Sequence, residues 1–125
     1  MNIEELRSCC LAVKGAEECT SLGEDLLSYK IMNKVFAFFL LHPKEGKHFV
    51  VLKCDPDRTV GLRERYRGIT KGVYTGATLM WNSVYIQRDV PDALIAELIE
   101  HSAEEVVKKL SKKKQEEYRS LICKS

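Results

Sequence analysis

Apolar residues in this chain fall first at helical spacing, then at alternating positions, then at helical spacing again. Ile3, Leu6, Cys10 and Val13 repeat every three or four residues while Glu4, Glu5 and Arg7 point elsewhere, which predicts a helix over residues 2–13. Asn2 suits its N-cap, acids occupy its first turn, and Gly15 ends it. Residues 15–23 are small and acidic and read as a connecting loop. Leu27, Tyr29 and Ile31 then alternate with Leu26, Ser28 and Lys30, the pattern of a strand with one wetter face. Asn33-Lys34 reads as a two-residue hairpin turn, although it lacks the usual glycine. Residues 35–41 are apolar on both faces, predicting a central strand covered on both sides. Pro43 and Gly46 turn the chain. A third strand follows over 48–54, with Phe49, Val51 and Lys53 on one face and Val50, Leu52 and Cys54 on the other.

Asp55-Pro56 is a helix start, because Asp55 can accept from free N–H groups and Pro56 fits the first helical position. This helix is expected to bury Val60, Leu62 and Tyr66 and to stop at Gly68. Gly72 and Gly76 make residues 69–78 a loop, with at most a short strand around 73–75. Residues 81–87 alternate as a strand. Asp89-Val90-Pro91 opens a last long helix whose stripe is Leu94, Ile95, Leu98, Ile99, Val106 and Leu110. The predicted order is α-β-β-β-α-(β)-β-α: an α+β fold of two layers, with a mainly antiparallel sheet and helices packed on one face. One domain is expected over residues 1–114, with 115–125 as a tail or helix extension.

Length and composition change this picture little. At 125 residues the chain holds one domain with its own core. The formal net charge of +2 excludes a strong global field, so any basic footprint must be local. Five cysteines, none in a Cys-x-x-Cys pair, argue against a zinc knuckle or a disulfide framework and for a reduced cytoplasmic setting. The acidic start carries no apolar leader core, and the seven-residue apolar run is far short of the ~20 needed for a membrane helix.

Glu97, His101, Glu104 and Glu105 have spacing that can gather metal ligands on one helix face, but such pairs are common on solvated helices. Cys54 lies beside Lys53 and near a helix N-terminus, two features that favour a thiolate; a cysteine ending a strand is more often a small core residue. No nucleophile elbow, phosphate loop or dinucleotide fingerprint occurs, so the chain reads as non-enzymatic and without a required cofactor. Two basic stretches suit phosphates: Arg58, Arg63, Arg65, Arg67 and Lys71 around the second helix, and Lys108, Lys109, Lys112, Lys113, Lys114 and Arg119 near the end. Tyr74 and Trp81 can present aromatic faces, although packing of Trp81 under the helices is the simpler role.

Lys34-Val35-Phe36-Ala37, Lys53-Cys54-Asp55-Pro56, Gly68-Ile69-Thr70, Trp81-Asn82-Ser83-Val84 and Leu98-Ile99-x-His101-Ser102 occur in one order along the chain. In this it resembles the MmcQ/YjbR family of small bacterial proteins, over nearly its whole length. The resemblance implies a compact fold similar to CyaY, the bacterial frataxin homologue, and DNA binding by a double-wing arrangement of hairpin loops. It carries over no catalytic residue. Where relatives show a basic stretch before the tryptophan, this chain has Thr78-Leu79-Met80, and Lys71 stands where a proline is usual. The frataxin likeness also raises iron handling, but the acids Glu4, Glu5, Glu17, Glu18, Glu24 and Asp25 are dispersed among bases.

The expectation is phosphate contact with DNA through Arg58, Arg63, Arg65, Arg67 and Lys71, joined by Lys44 and Lys47 in the hairpin turn. The alternative is a small-molecule or protein site around Trp81, Tyr74, Asn82 and Lys53, for which the apolar Leu79-Met80 is the better match.

Overall fold

In the computed structural model, which describes residues 1–20, 25–43, 45–73 and 79–123, Asn2 closes a capping box on the first helix. Its side chain accepts from Glu5 N–H at 2.8 Å, and the Glu5 carboxylate accepts from Asn2 N–H at 3.0 Å. Helix α1 spans Ile3–Leu11 and buries Leu6 and Cys10. The segment expected as a loop contains a short edge strand, β1 (Glu17–Cys19), paired antiparallel with β2 (Leu26–Ile31). Three residues are too few to show a period, so only pairing reveals it.

The hairpin to β3 (Lys34–Leu40) turns at Met32-Asn33 and not at Asn33-Lys34. Both turn residues have positive φ, +50° and +66°, the left-handed pair that makes a two-residue turn match strand twist. β4 (Phe49–Lys53) follows, then helix α2 (Pro56–Arg65), β5 (Ile69–Lys71), β6 (Trp81–Tyr85), α3 (Asp92–Lys108) and α4 (Lys112–Cys123). β5 lies in the segment expected as a loop, and Tyr74 and Thr75 of the short strand expected over 73–75 lie outside the described residues. All pairings are antiparallel, in the order β1-β2-β3-β4-β6-β5.

The helices cover one face of this sheet. Leu27, Tyr29, Ala37, Phe39, Val50, Leu52 and Val84 meet Ile95, Leu98, Ile99, Ala103 and Val106 of α3 in the core. Each fully buried valine, leucine, isoleucine or phenylalanine among them contributes about 1.5–3 kcal/mol. Ser102 ties α3 to the sheet: its hydroxyl donates to Phe36 O and accepts from Lys53 N–H at 2.8 Å. β3 is central but not covered by helices on both sides, because Phe38 stands on the opposite face against Trp81. Trp81 therefore does not pack beneath the helices as expected. It sits half-buried on the helix-free face.

Helix α2 also departs from its expected face. Val60 is 55% exposed, while Thr59 is fully buried, held by Asp55 O and by the Asn82 amide. Asp55 caps the helix as expected, accepting from Asp57 N–H at 2.9 Å. Asp89 does not cap α3, whose N-cap is Pro91; its carboxylate instead accepts from the Arg67 and Gly68 N–H groups, both at 2.7 Å. Those bonds hold it below the usual carboxylate range, Arg67 N–H contributing most. After a break at residues 109–111, α4 folds back so that Tyr118 donates to Lys14 O at 2.7 Å. Gly15, at φ +83°, leaves room for that ring: a Cβ there would lie 2.8 Å from it.

Candidate nucleic-acid interface

At one end of the sheet β3 begins, β4 ends and β6 begins, with Lys53 opposite Trp81 in register. Lys34 opens β3 there and Lys109 caps α3 nearby. These three lysines surround a groove of about 410 Å³ whose apolar wall is Val35, Trp81, Val106 and Leu110. Lys34 and Lys109 are exposed, and Lys53 is half-buried. Burial lowers the Lys53 pKa, and the charge of Lys109 adds to the effect against the opposing pull of Glu105. A bound anion would offset both effects by favouring the charged ammonium. Lys108 is not part of this field, since it pairs with Glu105 at 2.9 Å. The exposed Lys112, Lys113 and Lys114 continue the basic surface into α4.

β5 reaches the same end. Gly72 N–H donates to Trp81 O at 2.9 Å, and a Cβ on Gly72 would lie 2.8 Å from the Trp81 side chain. Only glycine allows β5 to pass so close. Lys71, exposed, ends that strand opposite Asn82.

The arginines of α2 are not a uniform phosphate-facing row. Arg63 bridges α2 to β6, with Nε donating to Asn82 Oδ1 at 2.7 Å and a guanidinium NH₂ donating to Trp81 O at 3.2 Å. Arg58 pairs with Glu97 of α3, which raises its pKa. Arg65 and Arg67 are exposed, and the Arg65 guanidinium stands 5.6 Å from the centre of the Tyr66 ring. Lys47 is exposed at the opposite end of the sheet, where it lines a hollow with Tyr85 and Arg88. Lys44 and Tyr74 lie outside the described residues.

Of the residues expected around Trp81, Lys53 shares its groove. Asn82 is buried and faces Thr59 and Arg63 on the helix side. Leu79 is 59% exposed and Met80 half-buried just before Trp81.

The other candidate chemistries find their groups otherwise engaged. His101 Nε2 accepts from Asp55 N–H at 3.2 Å, Glu97 pairs with Arg58, and Glu105 pairs with Lys108. Among the described residues no three His, Cys, Asp or Glu side chains converge as metal ligands. Cys54 is buried, and burial raises its thiol pKa, outweighing the Thr59 and Arg58 contributions. That is the opposite of an activated nucleophile.

Sequence reasoning missed Lys34 as a partner of Lys53 and Lys109. The signal was present: Lys34 opens a strand antiparallel to the one Lys53 closes, so both must emerge at one end.

Comparison with known proteins agrees with this architecture. The chain is 27% identical over 114 residues to the uncharacterized protein YjbR of Escherichia coli K12, covering 91% of this chain and 94% of that one. It is 29% identical over 116 residues to the uncharacterized protein YbdF of E. coli O157:H7, covering 93% of each. The crystal structure of Deinococcus radiodurans protein DR2400, a DUF419 domain, superposes with a TM-score of 0.82 at 25% identity, over 94% of this chain and 87% of that one. A Pseudomonas syringae protein shares the fold, with a TM-score of 0.70 at 17% identity, over 82% of this chain and 96% of that one. The YjbR family model matches residues 11–103, all six strands of the sheet and most of α3, and the chain belongs to the YjbR family.

Proposed function

We propose that this protein is a non-enzymatic, cytoplasmic nucleic-acid-binding protein that holds phosphates at the lysine groove beside Trp81. One observation carries the reading: Lys34, Lys53 and Lys109, far apart in sequence, line one groove with the chain's single tryptophan. Cations that neutralise phosphates release counterions, and an adjacent aromatic ring offers a base a surface to stack on. The resemblance to a family regarded as DNA-binding points the same way. The surface shifts, however, from the α2 arginines toward the sheet end, because Arg58 and Arg63 make bonds within the fold. Lys71 and the lysines of α4 extend the contact area.

A second reading has its own support. The exposed Leu79 beside Trp81 and the apolar groove wall suit a small molecule or a protein carrying an anionic group. Fluorescence anisotropy with labelled oligonucleotides at low salt separates the two. Micromolar binding, weakened about tenfold in Lys34→Ala/Lys109→Ala but little changed in Arg65→Ala, is the expected result. Equal loss in the Arg65 variant would return the contact to α2. Flat anisotropy would sink the nucleic-acid reading in favour of the ligand one.

A further inference from the structure

Among the described residues, the sheet face turned away from the helices carries four strand aromatic side chains. Strand register places Phe38, Phe49, Trp81 and Tyr85 on it, around Val51 and Ser83. They form two tilted pairs: Phe38 with Trp81, 6.2 Å between ring centres, and Phe49 with Tyr85, 5.2 Å between centres. All four are half-buried and none belongs to the helix-side core. Trp81 and Tyr85 are four residues apart on β6, about 13 Å along the strand.

Cations stand at both ends of this aromatic stripe. Lys34, Lys53 and Lys109 surround the groove at the Trp81 end. At the other end Lys47 and Arg88 line a hollow with Tyr85, and the Arg88 guanidinium lies 5.5 Å from the centre of that ring. Glu105, whose charge acts on Lys53, is paired with Lys108.

This layout discriminates between polyanions. Binding a phosphate chain alone requires cations and gains nothing from aromatic side chains. A duplex stacks its base faces inside and shows only their edges in its grooves. A single strand presents phosphates and free base faces together. An open sheet with aromatic rings is a geometry on which unpaired bases stack.

We infer that the partner is single-stranded nucleic acid lying across the helix-free face, with bases against the Phe38–Trp81 and Phe49–Tyr85 pairs and phosphates at the two cationic ends. This rests on the nucleic-acid reading above and adds the state of the strand and the means of base contact.

The test titrates the full chain at low salt with an unlabelled single-stranded 12-mer of mixed sequence and with the corresponding duplex, following Trp81 fluorescence, and repeats the titration by anisotropy with labelled strands. The single strand should bind about tenfold more tightly than the duplex and quench Trp81. Phe38→Leu and Tyr85→Leu, which retain apolar bulk, should each weaken single-strand binding about tenfold, the scale of one stacked base. Circular dichroism establishes that each variant is folded, and Phe49→Leu provides a further variant if one is not. Duplex binding as tight as single-strand binding, without quenching, would overturn the stacking platform and leave the phosphate reading standing. Binding to neither would overturn both. A stable dimer in sedimentation that Phe38→Lys dissociates would assign the face to a second copy and overturn the proposal.

Discussion

Two buried serines show how differently the same side chain can be used. Ser102 joins α3 to two strands, accepting from Lys53 N–H and donating to Phe36 O. Removing its hydroxyl leaves a buried donor and a buried acceptor unmet, so Ser102→Ala should cost about 3 kcal/mol. Ser83 is as deeply buried, yet its Oγ has no hydrogen-bond partner among the described residues. Its burial is already a cost, and Ser83→Ala should leave stability unchanged or raise it by up to about 1 kcal/mol. Urea unfolding of the two variants checks the contrast; equal destabilisation would mean that the Ser83 hydroxyl has a partner in solution. Neither role was legible in the sequence. Both serines sit in plausible positions, one on a helix stripe and one alternating in a strand, and only their surroundings differ. The same holds for the arginines of α2. Their charge was visible, but the Asn82 and Trp81 oxygens that engage Arg63 lie nineteen and eighteen residues away.

Elements with a long period were legible and those without one were not. The stripe of α3 and the alternation in β2, β4 and β6 fixed their type, because both periods follow from helix and strand geometry, but not the face of β6 that meets the helices. β1 and β5, three residues each, declare themselves only through their neighbours. What fastens β1 is a side-chain cluster. The Glu18 carboxylate accepts from the Arg7 guanidinium twice at 2.8 Å and from the Tyr29 hydroxyl at 2.7 Å, joining β1 to α1 and β2. The Arg7 bond is the main cause of a Glu18 pKa below the ordinary value. A carboxylate with a lowered folded pKa stabilises the fold above its unfolded pKa and loses that contribution as pH falls through the folded one. Glu18→Gln should therefore destabilise the protein at pH 7, by about 1 kcal/mol given the exposure of Arg7. The gap between variant and parent should narrow as pH drops below the ordinary carboxylate range. Thermal melts of both proteins at pH 7, 4.5 and 3 test this; a gap that does not change with pH would show that the charge of Glu18 does not matter.

At the scale of the molecule, the net charge of +2 conceals an uneven distribution. Charge summed along the chain cannot show it, because the fold pairs Arg7, Arg58 and Lys108 with acids and leaves Lys34, Lys53 and Lys109 around one groove. Antiparallel strand order does this sorting: it brings the start of one strand to the end of the next, so residues distant in sequence share a sheet end. A reading from composition therefore understates how strongly the protein can attract a polyanion at that end. The consequence is measurable as a salt slope. Each phosphate neutralised on a single strand contributes about 0.7 to the slope of log affinity against log salt, and on a duplex about 0.9. If the groove lysines each contact one phosphate, Lys34→Ala and Lys109→Ala should each flatten the single-strand slope by about 0.7, and the double variant by about twice that. Tyr85→Leu should weaken binding at every salt concentration while leaving the slope unchanged, because stacking releases no counterions. An unchanged slope in the double lysine variant would show that its lost affinity came from somewhere other than phosphate contact, and the groove would then be a site for a different anion.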